Sequence, residues 1–495
     1  MQENGFPHLN NDSTKVALVE GDKSHTYSEV NQRIDKFASG LLGGKEDLQE
    51  ERIAFFLPAS LDYVTTMHGV WRAGGIAVPL NVASAVPELE HYLSCASVTR
   101  MVSTGKYLTS LQSLCESMAI TLISVEDLLV NELTKLPAIS PERRGMMLFT
   151  SGTTNKPKGV VSTHKTIRAQ ITTLIEAWAW TEEDVIPLLL PLHHIHGIIN
   201  ILCCGLWAGA TVHLFAKFDI PKIMEQVVAG TYNVFMAVPT IYVKLIQYFE
   251  TIEDAEVKII CDGFRPMRLN ISGSAACPVK LFNQWKELTG QILLERYGMT
   301  EIGMGISNPY DGERRAGAVG KPLPGVEAAL FDEEHNMITD EEIPGEIRIK
   351  GDNVFLEYWD NPIATEESFR DGWFCTGDVA VVEDGYYRIM GRSSIDIIKS
   401  GGYKLSGLEI EGTLLLHENI TEVAVIGVED ETWGESVMAF IALREGANME
   451  YADLKSWCEG KMSSYKIPKA IRIIDALPRN AMGKVTKPKL KELLC

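Results

Sequence analysis

At 495 residues, with 45% hydrophobic and 23% charged side chains, the chain has material for more than one core and lies far from the low-hydrophobicity, high-charge composition of disordered proteins. Its 66 acidic against 46 basic residues give a net charge of −20, which argues against nucleic acid and anionic lipid as partners, so an anionic substrate has to be met by isolated Lys and Arg residues in a pocket. Nine cysteines without a CxxC pair or a Cys/His ligand spacing exclude a complete disulfide framework and fit a reducing compartment, read here as the cytoplasm.

The opening segment MQENGFPHLNNDSTK has neither the basic start nor the apolar core of a signal peptide. From Lys15 to Val125, short apolar runs (VALVE, RIAFFLP, GGIAVPL, TRMVST, TLISV) alternate with amphipathic stretches such as Tyr27 to Leu42. This βα rhythm predicts helix-covered β-sheets and continues through Val185 to Leu190, Thr211 to Phe215 and Met267 to Ile271. The apolar stretch Gly197 to Ala216 is long enough to raise a membrane span, but small residues and His213 interrupt it, and a buried helix running into a strand is expected instead. Between Gly320 and Gly391, turn signals separate short strands (GVEAALFDEE, GEIRIKG, DGWFCTGD, EDGYYRIMGR) and predict a small β-rich subdomain. A βα pattern resumes afterwards. The expected organisation is α/β, with an N-terminal domain over 1–391, a hinge near Arg392 to Asp396, and a mobile α+β lid domain over 392–495.

The first chemical motif follows the apolar run Met146 to Phe149. In Thr150-Ser151-Gly152-Thr153-Thr154-Asn155-Lys156-Pro157-Lys158-Gly159, backbone N–H groups and hydroxyls suit phosphate oxygens, and two lysines supply charge. Pro157 stands where a Walker A loop needs its second glycine. Composition alone fits an exposed linker equally well. Further along come Tyr297-Gly298-Met299-Thr300-Glu301, Thr376-Gly377-Asp378, Gly391-Arg392 through Asp396 with Lys399 to Lys404, and Pro478 to Lys484.

With these motifs in this order, the chain resembles the adenylate-forming superfamily of acyl-CoA synthetases, peptide-synthetase adenylation domains and luciferase over nearly its whole length. The resemblance implies an ATP-dependent ligase that makes an acyl-adenylate and passes the acyl group to coenzyme A, with Mg2+ as cofactor. It places Thr150, Ser151, Gly152, Thr153, Thr154 and Lys158 on phosphates, with Asn155 where the family has glycine. Gly273, Ser274, Ala275, Arg296, Tyr297, Gly298, Met299 and Thr300 are implied for the nucleotide, and Asp378 for the ribose hydroxyls, with Arg392 as its partner. Glu301 resembles the metal ligand, and Lys484 the lysine that bridges the acid and the α-phosphate. His194 joins Thr300, Glu301 and Lys484 in the implied catalytic set. Asp396 corresponds to the hinge position, and Lys399, Gly401, Gly402 and Tyr403 to the coenzyme A segment. Outside this context Asp378 reads as a Gly-Asp turn, Lys484 as a solvated lysine, and the glycine pair as chain reversal.

The acid pocket is expected from Pro191 to Gly197, Val238 to Thr240, Ser272 to Ala275 and Met304 to Ser307, with His194, His196 and Ser272 as contacts. The HHxH spacing lacks nearby carboxylates, so it reads as pocket lining rather than a metal site. LPLHHIHG, LERYGMTE and the segment Ser307 to Arg315 resemble the malonyl-CoA synthetase branch, in which an arginine grips the distal carboxylate; Arg314 and Arg315 are equal candidates. Lys244 stands where that branch carries arginine, keeping the charge and losing the planar fork. Malonate or methylmalonate is therefore the expected acid. The alternatives are a short-chain or aryl monocarboxylate ligase, an adenylation protein loading a carrier domain, and a non-catalytic nucleotide-binding homologue. Oligomeric state is left open.

Overall fold

The βα rhythm of the first third folds into one side of a seven-stranded sheet ordered Glu357–Tyr358, Lys158–Thr163, Arg144–Thr150, Ile76–Pro79, Arg52–Phe56, Arg100–Ser103, Thr121–Ser124. The strands from Arg144–Thr150 to Thr121–Ser124 pair in parallel, and the hairpin Arg144–Thr150/Lys158–Thr163 adds an antiparallel edge. The central strands IAVP and RIAFF are apolar and buried nearly throughout because helices cover both faces. One covering helix, Tyr27–Leu42, starts where Thr26 and Glu29 form a capping box and stops where Gly43 turns left-handed at φ 54. This computed structural model describes residues 6–9, 13–150, 157–393, 395–400, 403–430, 433–479 and 485–494.

A second sheet, ordered Val234–Ala237, Leu269–Ser272, Leu294–Met299, Gly303–Ser307, Lys321–Pro322, carries the motifs on both sides of residue 300. A third holds Lys23–Thr26, Val16–Glu20, Thr211–Leu214 and Val185–Leu188. The β-rich subdomain is present as an antiparallel sheet in which Gly345–Lys350, Trp373–Glu383 and Tyr386–Arg392 lie side by side. The C-terminal part has its own sheet, from the hairpin Ile397–Ser400/Tyr403–Ser406 to Ala470–Ile473, and its own core around Ile398, Leu414, Val425 and Ile441. The fold is thus α/β, a large body of helix-covered sheets followed by a smaller α+β unit.

The apolar stretch beginning at Gly197 forms a buried helix running into the strand Thr211–Leu214, as expected. Its first part, His196–Cys203, is a π-helix, in which the Cys204 N–H donates to the Ile199 carbonyl five residues back. No helix among the described residues is long and apolar enough to cross a membrane.

Candidate active site

The candidate nucleotide end is assembled by strand pairing. Asp378 and Arg392 are register partners across Trp373–Glu383 and Tyr386–Arg392, and the Arg392 guanidinium Nε lies 3.0 Å from Asp378 Oδ1. The Tyr297 hydroxyl, from the second sheet, donates to Asp378 Oδ2 at 2.6 Å. Thr376 Oγ1 takes the Asp378 N–H at 3.1 Å and donates to the Ile347 carbonyl at 2.7 Å, so the motif backbone is tied to the subdomain behind it. Asp378 is 8% exposed. Burial and the adjacent carboxylate push the Tyr297 phenol far above its usual range, so it stays a donor. Gly298 is required where it stands, because a Cβ there would collide with the Gly303 carbonyl on the partner strand.

Beside it, Glu301 is 6% exposed, and its Oε1 accepts from the Tyr358 hydroxyl at 3.0 Å. Burial raises the carboxyl above its ordinary value. The same tyrosine ring lies 4.9 Å from Lys158 Nζ. Thr150 and Lys158 are register partners, and Tyr358 pairs with Val160 on the neighbouring strand, so the Lys158 end of the phosphate-loop candidate and the Glu301 carboxylate meet at one tyrosine. Nothing in the motifs pointed to Tyr358, a residue of ordinary strand composition. Among the described residues no three His, Cys, Asp or Glu side chains converge to hold a metal. A single buried carboxylate nevertheless fits Mg2+, which commonly takes one or two protein carboxylates and fills its shell with phosphate oxygens and water. Ser151, Gly152, Thr153, Thr154, Asn155, Lys156, Gly401, Gly402 and Lys484 lie outside the described residues.

A candidate acid end begins one residue earlier on the same strand. Arg296 is 4% exposed; its Nη2 donates to Ser274 Oγ at 3.2 Å, and that hydroxyl lies 3.1 Å from His196 Nδ1. Gly273 admits the guanidinium, since a Cβ there would sit 2.6 Å from Arg296 Cζ, and Ser274 adopts a left-handed φ of 67. Burial draws Arg296 down to about 9, which leaves it charged at neutral pH. Burial and Arg296 hold His196 well below its usual range, and hence neutral. Arg296 Nε and His196 Nε2 are buried without a hydrogen-bond partner among the described residues. The His193 and His194 rings lie tilted against each other with centroids 4.0 Å apart. Ser272 is buried at the end of the neighbouring strand Leu269–Ser272, opposite Glu295, and Ala275 is exposed.

The three cations expected for a second carboxylate have surroundings of their own. Arg314 donates to the backbone carbonyls of Ile292 (2.8 Å), Tyr310 (2.9 Å) and Pro309 (3.3 Å). Arg315 pairs with Glu313 (3.0 Å) and Asp384 (3.2 Å) and lies 4.1 Å from the Tyr386 ring. Lys244 is exposed on the helix Pro239–Phe249, whose buried face is Tyr242, Leu245, Ile246 and Phe249. The cation that meets Ser274, and through it His196, is Arg296, read from sequence as a nucleotide residue. In the C-terminal hairpin, Lys399 pairs with Glu333 at 3.2 Å, and Tyr403 stacks on Tyr465 with centroids 4.6 Å apart.

The chain matches the AMP-binding enzyme family over residues 7–359 and the AMP-binding enzyme C-terminal domain over 409–484. It is similar to "Malonate--CoA ligase ACSF3, mitochondrial" of Mus musculus, 41% identical across 97% of this chain and 88% of the relative. Similarity to "Malonate--CoA ligase" of Arabidopsis thaliana is 37% identity across 99% and 88%. Among solved structures, ATP-bound MatB from Rhodopseudomonas palustris superposes with a TM-score of 0.90 at 31% identity, over 100% of this chain and 99% of that one. A malonyl-CoA ligase ternary product complex with methylmalonyl-CoA and AMP superposes at 0.70 with 33% identity, over 96% and 100%.

Proposed function

The chain belongs to the AMP-binding enzyme family, and from that premise we propose that it is an AMP-forming acid–thiol ligase that converts malonate, or its methyl derivative, with ATP and coenzyme A into the acyl-CoA thioester, AMP and pyrophosphate. The observation that carries the choice of acid is Arg296. A charged guanidinium buried with an unpartnered Nε is costly in an empty site and is compensated when an anion supplies the missing acceptor. The reacting carboxylate of any substrate has to face the α-phosphate, so a further cation beside Ser274, apart from the Asp378 and Glu301 contacts, favours a second carboxylate, with the neutral His196 ready to donate or accept nearby. Relatives named malonate–CoA ligases, about 40% identical over nearly the whole chain, support the same reading.

The division of labour joins this geometry to the roles that the family resemblance implies. Asp378, fixed by Tyr297 and Arg392, presents a carboxylate to the ribose hydroxyls, a pair of donors that two acceptor oxygens suit. Lys158 and the Thr150–Thr154 loop hold the phosphates, and Glu301, oriented by Tyr358, is the ligand for Mg2+. When bound, that ion neutralises phosphate charge that would repel the incoming acid. A carboxylate oxygen attacks the α-phosphorus, the bond to the β-phosphate oxygen breaks, and pyrophosphate leaves; Lys484 stabilises the charge that develops. In the second half the coenzyme A sulfur attacks the acyl carbon and the bond to AMP breaks. The segment of Lys399, Gly401, Gly402 and Tyr403 serves this half after rotation about Arg392 to Asp396, the boundary between domains 1–391 and 392–495. The arrangement described here lies nearer the ATP-bound relative than the CoA product complex, at TM-scores of 0.90 and 0.70, which supports assigning it to adenylate formation.

Acid-dependent pyrophosphate release, with and without coenzyme A, tests the proposal across malonate, methylmalonate, acetate, hexanoate and benzoate. One of the first two is expected to give the highest kcat/KM, and a clear win for a monocarboxylate overturns the choice of acid. As to compartment, the eight free cysteines among the described residues support a reducing one. We keep the cytoplasm as the reading, against relatives named mitochondrial, with cell fractionation as the arbiter.

A further inference from the structure

The hinge contains a buried charge cluster that none of the assignments above uses. Asp396 divides its carboxylate between the two sides of the hinge. Its Oδ2 accepts the Arg392 N–H at 3.0 Å, and its Oδ1 lies 2.6 Å from the Lys487 ammonium, at the first residue of the helix Lys487–Glu492. Lys487 Nζ also reaches Glu411 Oε1 at 2.7 Å, and that oxygen accepts the Val425 N–H at 2.7 Å. The lysine is only 7% exposed. The backbone repeats the pattern, since the Asp396 N–H donates to the Arg392 carbonyl and the Gly407 N–H to the Asp396 carbonyl, both at 2.8 Å. Gly391 permits the close approach, because a Cβ on it would collide with the Asp396 side chain.

Two carboxylates around one ammonium, away from water, are a poor source of net stability; an apolar trio of similar volume generally does as well. What such a cluster does provide is direction. Arg392 is held to Asp378 on one side and to Asp396 on the other, so the ribose acid, the hinge and the last helix form one continuous run of charge-assisted contacts. Lys487 is its far end, and it follows Lys484 by three residues.

We propose that Lys487 is a positioning residue for the first half-reaction: by gripping Asp396 and Glu411 it sets the direction in which the chain leaves Arg392 and fixes the start of the helix that follows Lys484. The proposal rests on the reading of Lys484 as the lysine of adenylate formation. Lys487 touches no substrate, and its effect passes through the hinge.

The test separates the two halves in the full-length enzyme. Malonate-dependent exchange of pyrophosphate into ATP reports adenylate formation, and thioester formation from synthetic malonyl-adenylate plus coenzyme A reports the second step. Lys487→Met is expected to slow exchange by about a hundredfold, the effect of displacing a catalytic group by roughly 1 Å. Thioester formation is expected to change by less than about threefold, and Lys487→Arg to restore most of the exchange. Equal loss in both halves, or unchanged exchange, overturns the proposal. If thermal melting shows that Lys487→Met does not fold, Glu411→Gln, which keeps the Lys487–Asp396 pair, is measured instead and has to show the same split. Lys484→Ala run alongside separates the proposal from its premise. If it spares exchange, the assignment of Lys484 fails; if it stops exchange selectively while Lys487→Met does not, the positioning role alone fails.

Discussion

Arg296 and Tyr297 are neighbours on one strand, yet the two ends of the proposed site are built on opposite terms. At the nucleotide end the charged groups already have protein partners: Asp378 holds Tyr297 and Arg392, and Glu301 holds Tyr358. At the acid end Arg296 gives one donor to Ser274 and keeps Nε buried with no partner among the described residues, as His196 does Nε2. Groups paired in advance fix geometry before the substrate arrives, which suits the one nucleotide every cycle uses. Buried groups with unmet hydrogen-bonding capacity discriminate, because a ligand that fails to satisfy them leaves the whole desolvation cost standing.

Mutations can break or sharpen this contrast. The largest effect is expected from Asp378→Ala, which removes the ribose acceptor and strands Arg392 and Tyr297 together; kcat/KM for ATP should fall by about a thousandfold, the value of two charge-assisted hydrogen bonds. A mild effect would mean that the paired carboxylate is structural. Arg296→Met should lower kcat/KM for malonate by about a hundredfold while acetate turnover changes by less than about threefold, measured as acid-dependent pyrophosphate release. Equal losses on both acids would erase the distinction between the ends. Tyr358→Phe deletes one hydrogen bond to Glu301 and leaves the ring under Lys158, so kcat should fall by about tenfold with a raised magnesium requirement in a metal titration.

Glu295, on the same strand, gives a pH test. It is 5% exposed and accepts the Gly317 N–H at 3.0 Å, and burial pushes its carboxyl from 4.5 up to about 8. The folded state then keeps a proton that the unfolded chain releases. Its contribution is full below 4.5, declines as pH rises towards about 8, and is flat above that. Thermal melts of the wild type and Glu295→Gln across that window should show a shallower decline in the variant, by a few degrees at the alkaline end. The smallest effect is expected from Arg314→Gln and Arg315→Gln, which should leave malonate kcat/KM within about twofold, since their guanidinium groups serve loop carbonyls and a surface ion-pair network. A loss comparable to that of Arg296→Met would return the second carboxylate to that segment.

How much of this the sequence disclosed depends on whether the signal is local. The β-rich subdomain was legible because strand length and turn residues are written next to each other. The family was legible because its motifs recur in order, and the membership of this chain in it bears out that reading. The direction of a long side chain is not local. Arg314 follows the YGMTE motif, and three carbonyls of its own surroundings accept its guanidinium N–H groups. For Lys244 a signal did exist. With Tyr242, Leu245, Ile246 and Phe249 marking the inner face at helical spacing, residue 244 falls on the outer one. Tyr358 carried no signal, because its value comes from pairing with a strand some two hundred positions earlier in the chain.

The π-helix His196–Cys203 makes the acid end sensitive to length in a way that composition does not reveal. An α-helix advances by about 100° per residue. The wider turn accommodates a residue that an α-helix of the same span would not, and it sets His196 in phase with Ser274 while the following helix Cys204–Ala208 keeps its own packing. Deleting one residue between Gly197 and Cys203 would let the turn relax to ordinary pitch and carry the imidazole about 100° around the axis, away from Ser274 and Arg296. Substitutions along HGIINILC change what lines the pocket; a change in its residue count would change where the pocket's histidine points.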